Sequence, residues 1–273
     1  KKEEEKRLVF YQSVVKKHIS NIEEQLNISL DGVPVVMSGM ASSTIGMMEL
    51  PYKQIPLAVS IRDLHFEKIK RTEDFKQDMI LISGIRTDTD IMRGEEVQLL
   101  GCDIETSDQR QVFIFPGTHS KHIIVENGQI TGFQTYMTGE FFNLLSANSI
   151  LSKSISMESA GKEFSQTAFE KGVSDSLHTN LLHQSFMVRT NDLFKRLTKN
   201  ENYWYLSGLL IGTELIDLFQ KQVSTITIVG ENKITGLYQT ACEVLNTKNV
   251  KSADVNDALI KAHILFAKEM GWK

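Results

Sequence analysis

Two cysteines, four prolines and two tryptophans are all that 273 residues hold of these types, and the scarcities exclude several classes. Cys102 and Cys242 lie far apart, with neither a CxxC pair nor a metal-ligand spacing, so a disulfide scaffold and a zinc module are out and a reducing, cytoplasmic setting fits. So little proline leaves no stiff linker, and neither a tandem repeat nor a low-complexity tract is present. No apolar run approaches the roughly 18 residues needed to cross a bilayer. The charged start, Lys1-Lys2-Glu3-Glu4-Glu5, leads into no signal-like apolar core. Nor does one sign of charge dominate: 30 basic against 34 acidic residues give −4, no field for nucleic acid or a membrane surface. An anionic small molecule would have to be held by local basic side chains.

What is present is enough apolar content, 41%, for two ordinary cores. Leu8, Tyr11, Val15, Ile19, Ile22 and Leu26 recur at three- and four-residue intervals, predicting an amphipathic helix over 4–26. Short β-branched runs at 33–37 and 79–82 each end in Ser-Gly, the pattern of a buried strand delivering a glycine loop. After Arg93-Gly94, residues 95–102 read as a helix with an acidic first turn. Three strands follow, over 111–115, 122–125 and 130–135, the last two joined by the hairpin signal Asn127-Gly128. Helices are expected over 140–147, 162–173, 177–189 and 203–221, then a strand over 225–229, a helix, and a closing helix over 255–270.

Two blocks carry chemistry. In the first, Asp90, Arg93, Glu95 and Glu96 gather around Gly94 at a helix start, and a carboxylate there offers a proton acceptor for a reacting hydroxyl. Glu95 is the first choice for that role and Glu96 the alternative; both also suit the helix dipole. Asp90 is a third candidate, or a holder of hydrated metal, and Arg93 can fork onto a substrate carboxylate or pair with a neighbouring acid. In the second block, Gly117 permits a sharp turn, Thr118 and Ser120 add hydroxyls, and His119 or Lys121 offers positive charge, which together read as a phosphate cradle. Acceptor and cradle together suggest phosphoryl transfer to a hydroxyl. The loop Ser38, Gly39, Met40 to Ser43 follows a strand, where open α/β sheets bind ligands. Gly208 and Gly212 within a helix imply close approach of a flat group or of another backbone, with adenine one candidate and helix packing the other. Gly230, Glu231 and Asn232 open a helix after a strand, a place for a nucleoside. Tyr203-Trp204-Tyr205 and Phe141-Phe142 read as core aromatics.

Five stretches, in order along the chain, resemble the 2-dehydro-3-deoxygalactonokinases: Val35–Met40, Met92–Gly101, Pro116–Lys121, Thr131–Glu140 and Leu206–Glu214. That family belongs to the actin-like, hexokinase-like sugar kinases. The resemblance implies an α/β fold of two ribonuclease-H-like domains with a cleft between them. It divides the chain into a first lobe over 1–109, incomplete at its start, and a second lobe over 110–273 with the nucleotide-binding elements. It further implies transfer of the γ-phosphoryl group of ATP, with Mg²⁺, to the 6-hydroxyl of 2-dehydro-3-deoxy-D-galactonate in galactonate breakdown. On this template the 38–43 loop faces the sugar acid, and Met47-Met48 stands where an aromatic residue is usual.

One family element is missing. Members carry an early aspartate-glycine-serine or threonine turn that binds metal and phosphates, and this sequence has none. Either a segment precedes Lys1, as the start without methionine suggests, or the chain is a non-catalytic sugar-acid or nucleotide binding protein derived from such a kinase. An actin-like ATPase would share the fold without the Arg-Gly-Glu-Glu block. A homodimer is the one assembly left open.

Overall fold

The computed structural model describes residues 2–105, 109–157, 163–178, 180–219 and 223–272, and shows a mixed α/β chain. It divides into two compact units. The first comprises 1–105, 128–132 and 256–273, and the second comprises 106–127 and 133–255.

In the first unit, helix α1 (Lys2–Leu26) lays Leu8, Tyr11, Val15 and Ile19 against a core of Met47, Phe75 and Met79, as its periodicity requires. The short strands β1 (Val35–Met37), β2 (Lys53–Gln54), β3 (Leu57–Ala58) and β4 (Phe66–Ile69) precede β5 (Met79–Ile82), whose four residues are all buried. Strand β1 runs parallel to β5 and β4 antiparallel to it, so β5 is central, and a continuous apolar run is what a strand covered on both faces needs. Strands β6 (Ile85–Arg86) and β7 (Ile91–Met92) form a small sheet with β2 and lead into helix α2 (Glu95–Leu100).

The second unit is built on a sheet that opens with β8 (Gln111–Phe115), β9 (Ser120–Glu126) and β10 (Gln129–Tyr136). The first residues of β10 belong to the first unit, where Gln129 and Ile130 pair with β3. Helices α3 (Thr138–Asn148), α4 (Gln166–Asp175), α5 (Leu181–Leu193) and α6 (Lys199–Phe219) follow, then β11 (Thr225–Val229), α7 (Asn232–Val244) and β12 (Val250–Ala253). The sheet order is β12-β11-β8-β9-β10, with β11 parallel to both β8 and β12, and β8 antiparallel to β9. The buried faces of β8 and β11 meet α4, α6 and α7 in one core, which includes Ile114, Ile228, Phe169, Tyr205 and Tyr238.

Several boundaries differ from expectation. Helix α5 begins at Leu181, not Leu177, because the Asn180 side chain accepts the Leu182 N–H at 2.9 Å and caps the helix there. Helix α4 begins at Gln166; the expected start, Lys162, and the expected end of α6, Lys221, lie outside the described residues. Strand β12 was not anticipated. The last helix, α8 (Val255–Glu269), expected with the second half, counts with the first unit. There Gly101 lies against it so closely that a Cβ would come within 1.8 Å of the Ala258 carbonyl oxygen, and Phe266 meets the Phe66 ring edge-on.

Candidate functional site

Around Gly94 the first unit brings its sequence-predicted residues together. Gly94 has φ 122°, a conformation closed to side-chain-bearing residues, and its missing Cβ would lie 3.4 Å from the Gly39 Cα, so the two glycine loops touch. Arg93 straps this contact from within. Its Nη1 donates to the Ser42 carbonyl and hydroxyl at 2.5 and 2.6 Å, Nη2 to the Leu50 carbonyl at 3.2 Å and Nε to the Tyr52 hydroxyl at 3.3 Å. The guanidinium carbon also stacks 4.1 Å from the Tyr52 ring centre. The fork expected for a substrate carboxylate is thus engaged with the chain itself.

The two glutamates are in different environments. Glu96 is 1% exposed, and burial pushes its carboxyl up to about 8, against the hydrogen bonds from its own and the Gly94 backbone. Glu95 is half-buried, with Oε2 accepting the Arg93 N–H at 3.3 Å. Asp90 closes a local turn, its Oδ1 accepting the Ile91 N–H at 2.7 Å. Among the described residues no group of three or more His, Cys, Asp or Glu side chains converges as a metal cluster, and Mg²⁺ carried by nucleotide phosphates needs none. In the 38–43 loop, Ser43 is turned inward and donates to the Met40 carbonyl at 2.7 Å, whereas Met40 is exposed. Ser38 lies 3.4 Å from Nε2 of His263 on α8, a ring whose pKa burial lowers.

The second unit holds a cavity of about 440 Å³. One side is the Gly117-Thr118 turn and the Thr138-Gly139 start of α3. These two meet backbone to backbone: the Glu140 N–H donates to the Thr118 carbonyl at 3.0 Å, and a Cβ on Gly139 would come within 2.6 Å of the Gly117 oxygen. Phe142, Tyr203, Trp204 and Leu210 form an apolar wall, and Glu231, Lys233 and Tyr238 come from the start and body of α7. A glycine turn beside a helix N-terminus favours an anion, and flat rings beside it suit a base.

Most of the other sequence-predicted residues of this unit lie away from the cavity. Gly208 and Gly212 face α4: a Cβ on Gly208 would lie 2.0 Å from the Phe169 carbonyl oxygen and one on Gly212 2.5 Å from the Ser176 hydroxyl. They serve close helix packing, the second of the two explanations. Of the hairpin, only Gly117 and Thr118 line the cavity. Ser120 is buried and donates to Glu214, Lys121 is buried with Nζ on the His119 carbonyl, and His119 pairs with Glu140 at 2.5 Å. Trp204 and Tyr205 are buried in the core, as read from the sequence, with Tyr203 and Phe142 packed against it; Phe142, Tyr203 and Trp204 also line the cavity, whereas Phe141, read as core with them, is exposed. Gly230 and Asn232 flank the lining residue Glu231 without lining the cavity themselves. Burial pushes both cysteine thiols up to about 12, in keeping with inert packing residues.

No helix among the described residues is long and apolar enough to cross a membrane. In comparison with known proteins, the chain is 32% identical to the 2-dehydro-3-deoxygalactonokinase of Escherichia coli over 219 residues, covering 78% of this chain and 71% of that one. It is 31% identical to a probable 2-dehydro-3-deoxygalactonokinase of Rhizobium meliloti, covering 88% and 79%. The crystal structure of a candidate member of the same family from Sinorhizobium meliloti superposes with a TM-score of 0.82 at 25% identity, over 94% of this chain and 84% of that chain. The family model for 2-keto-3-deoxy-galactonokinase matches residues 4–264. The chain belongs to that family, and is by that membership a phosphotransferase with an alcohol group as acceptor.

Proposed function

We propose that the chain transfers the γ-phosphoryl group of ATP to the 6-hydroxyl of 2-dehydro-3-deoxy-D-galactonate. The observation that carries the nucleotide half is the second-unit cavity, where the Gly117-Thr118 turn and the start of α3 adjoin the Phe142, Tyr203 and Trp204 wall. The base occupies the aromatic wall in this reading, and the phosphates lie at the turn, with the Thr118 hydroxyl and Lys233 beside them. Mg²⁺, bound with the nucleotide, neutralises phosphate charge. Strand order supports a ribonuclease-H-like second unit: an antiparallel pair β8-β9 with β10 beside it, a helical stretch, then β11 parallel to β8.

The sugar acid is assigned to the first unit, to Ser38, Gly39, Met40 and the Gly94 turn. Glu95 is the proton acceptor, because Glu96 gives both carboxylate oxygens to the Gly94 N–H and is closed to solvent. Arg93 holds the loop in shape and leaves direct contact with the acid to its neighbours. Coupled ADP release with Mg²⁺ATP tests the whole reading, run with 2-dehydro-3-deoxygalactonate beside its gluconate epimer. Turnover preferring the galactonate form is expected. A folded protein that binds ATP but turns over neither acid leaves the non-catalytic binding protein as the answer.

A further inference from the structure

Glu214 lies on α6, 3% exposed, and none of the roles above uses it. Its carboxylate takes four side-chain donors. Oε1 accepts from the Ser120 hydroxyl and from His122 Nε2, each at 2.7 Å. Oε2 accepts from the Tyr238 hydroxyl at 2.7 Å and from the Thr138 hydroxyl. A buried carboxylate left unpaired would be protonated or expelled. Here burial pushes its pKa up, but the hydrogen bond and charge of His122, with the hydroxyls of Thr138 and Ser120, outweigh that and hold it below the usual range.

The donors are not scattered. Ser120 lies two residues beyond Thr118, on the strand leaving the glycine turn. Thr138 opens α3 and lines the cavity itself, and Tyr238 lines it from α7. Glu214 thus joins, from α6, the three other elements that wall the cavity. We infer that Glu214 is the positioning residue of the nucleotide site, setting the distance between the turn, the start of α3 and α7 through its four hydrogen bonds. This rests on the nucleotide reading of the cavity given above. Glu214 touches no substrate in this scheme; it acts through Thr138, Tyr238 and the strand that carries Ser120.

A purely structural carboxylate would lower the melting temperature and leave nucleotide affinity alone, so the test reads both. Wild type, Glu214→Gln and Ser120→Ala are titrated with Mg²⁺ATP by calorimetry, melted, and assayed for the KM of each substrate. Glutamine cannot accept on both ends, and the expected result is a Kd for ATP raised about ten-fold or more, with the sugar-acid KM within about two-fold. Ser120→Ala removes one donor, keeps the carboxylate, and should raise the ATP Kd a few-fold; it decides the matter if Glu214→Gln fails to fold. Folded variants that bind ATP as wild type does overturn the positioning role, whatever their loss of melting temperature. A wild type that binds no ATP overturns the cavity reading and the positioning role with it, so the wild-type titration separates the two failures.

Discussion

Glu96 accepts the N–H of Gly94 on both carboxylate oxygens, at 2.9 and 2.8 Å, and so closes the start of α2 on itself. With burial holding this carboxyl at about 8, against about 4.3 for an unfolded glutamate, the folded chain keeps a proton that the unfolded chain has lost. Stability from this group is complete below the unfolded value and declines as pH rises through the folded one. Thermal melts from pH 5 to 8 should show wild type losing stability relative to Glu96→Gln, by on the order of a few kcal/mol at most. Parallel profiles for the two proteins would sink this account.

Glu95→Gln should lower kcat by roughly 10²- to 10⁴-fold with little change in either KM, since it removes only proton acceptance. Glu96→Gln should cost far less. Steady-state kinetics on both variants checks the assignment, and the reverse ranking would transfer the role to Glu96.

The seam between α4 and α6 has no room for a methyl group. Gly208→Ala should destabilise the fold by about 1–3 kcal/mol through overpacking, because the obstacle, the Phe169 carbonyl, is backbone. The ATP KM of the folded fraction should stay at the wild-type value. Denaturant melts with kinetics measure both, and a raised ATP KM at unchanged stability would return Gly208 to the nucleoside.

Trp204 lines the cavity, and the chain's other tryptophan, Trp272, does not. ATP should therefore change tryptophan fluorescence, and Trp272→Phe should retain that change. Tyr203→Ala should weaken ATP binding by about 1–3 kcal/mol if the base stacks on this wall. A response that disappears with Trp272 would place the nucleotide elsewhere.

The parts of the fold written in local periodicity were legible. Helix α1, strands β5, β8 and β11, and the Asn127-Gly128 turn follow from spacing and turn chemistry alone, and the resemblance carried by five motifs named the family. What failed was direction. Sequence shows that Gly208 and Gly212 admit a neighbour but not that the neighbour is Phe169 or Ser176. Tyr203, Trp204 and Tyr205 are adjacent letters in one core region, yet successive helical residues point about 100° apart, so the first two also line a cavity and the third is wholly enclosed. In the sequence Glu214 is only the last residue of the Leu206–Glu214 stretch. Its four donors come from positions 120, 122, 138 and 238, a convergence only the folded chain displays.

Because α8 counts with the first unit, the second unit is an insertion in the chain rather than its tail. During synthesis the residues of the second unit, through Val255, emerge before those of α8 that the first unit uses. Helix α8 packs on parts of the first unit made much earlier, bringing His263 to Ser38 and Ala258 to Gly101 across long stretches of sequence. Such distant closures are slow. A stop codon shortly before α8 would therefore spare the cavity of the second unit and leave the first unit unfinished.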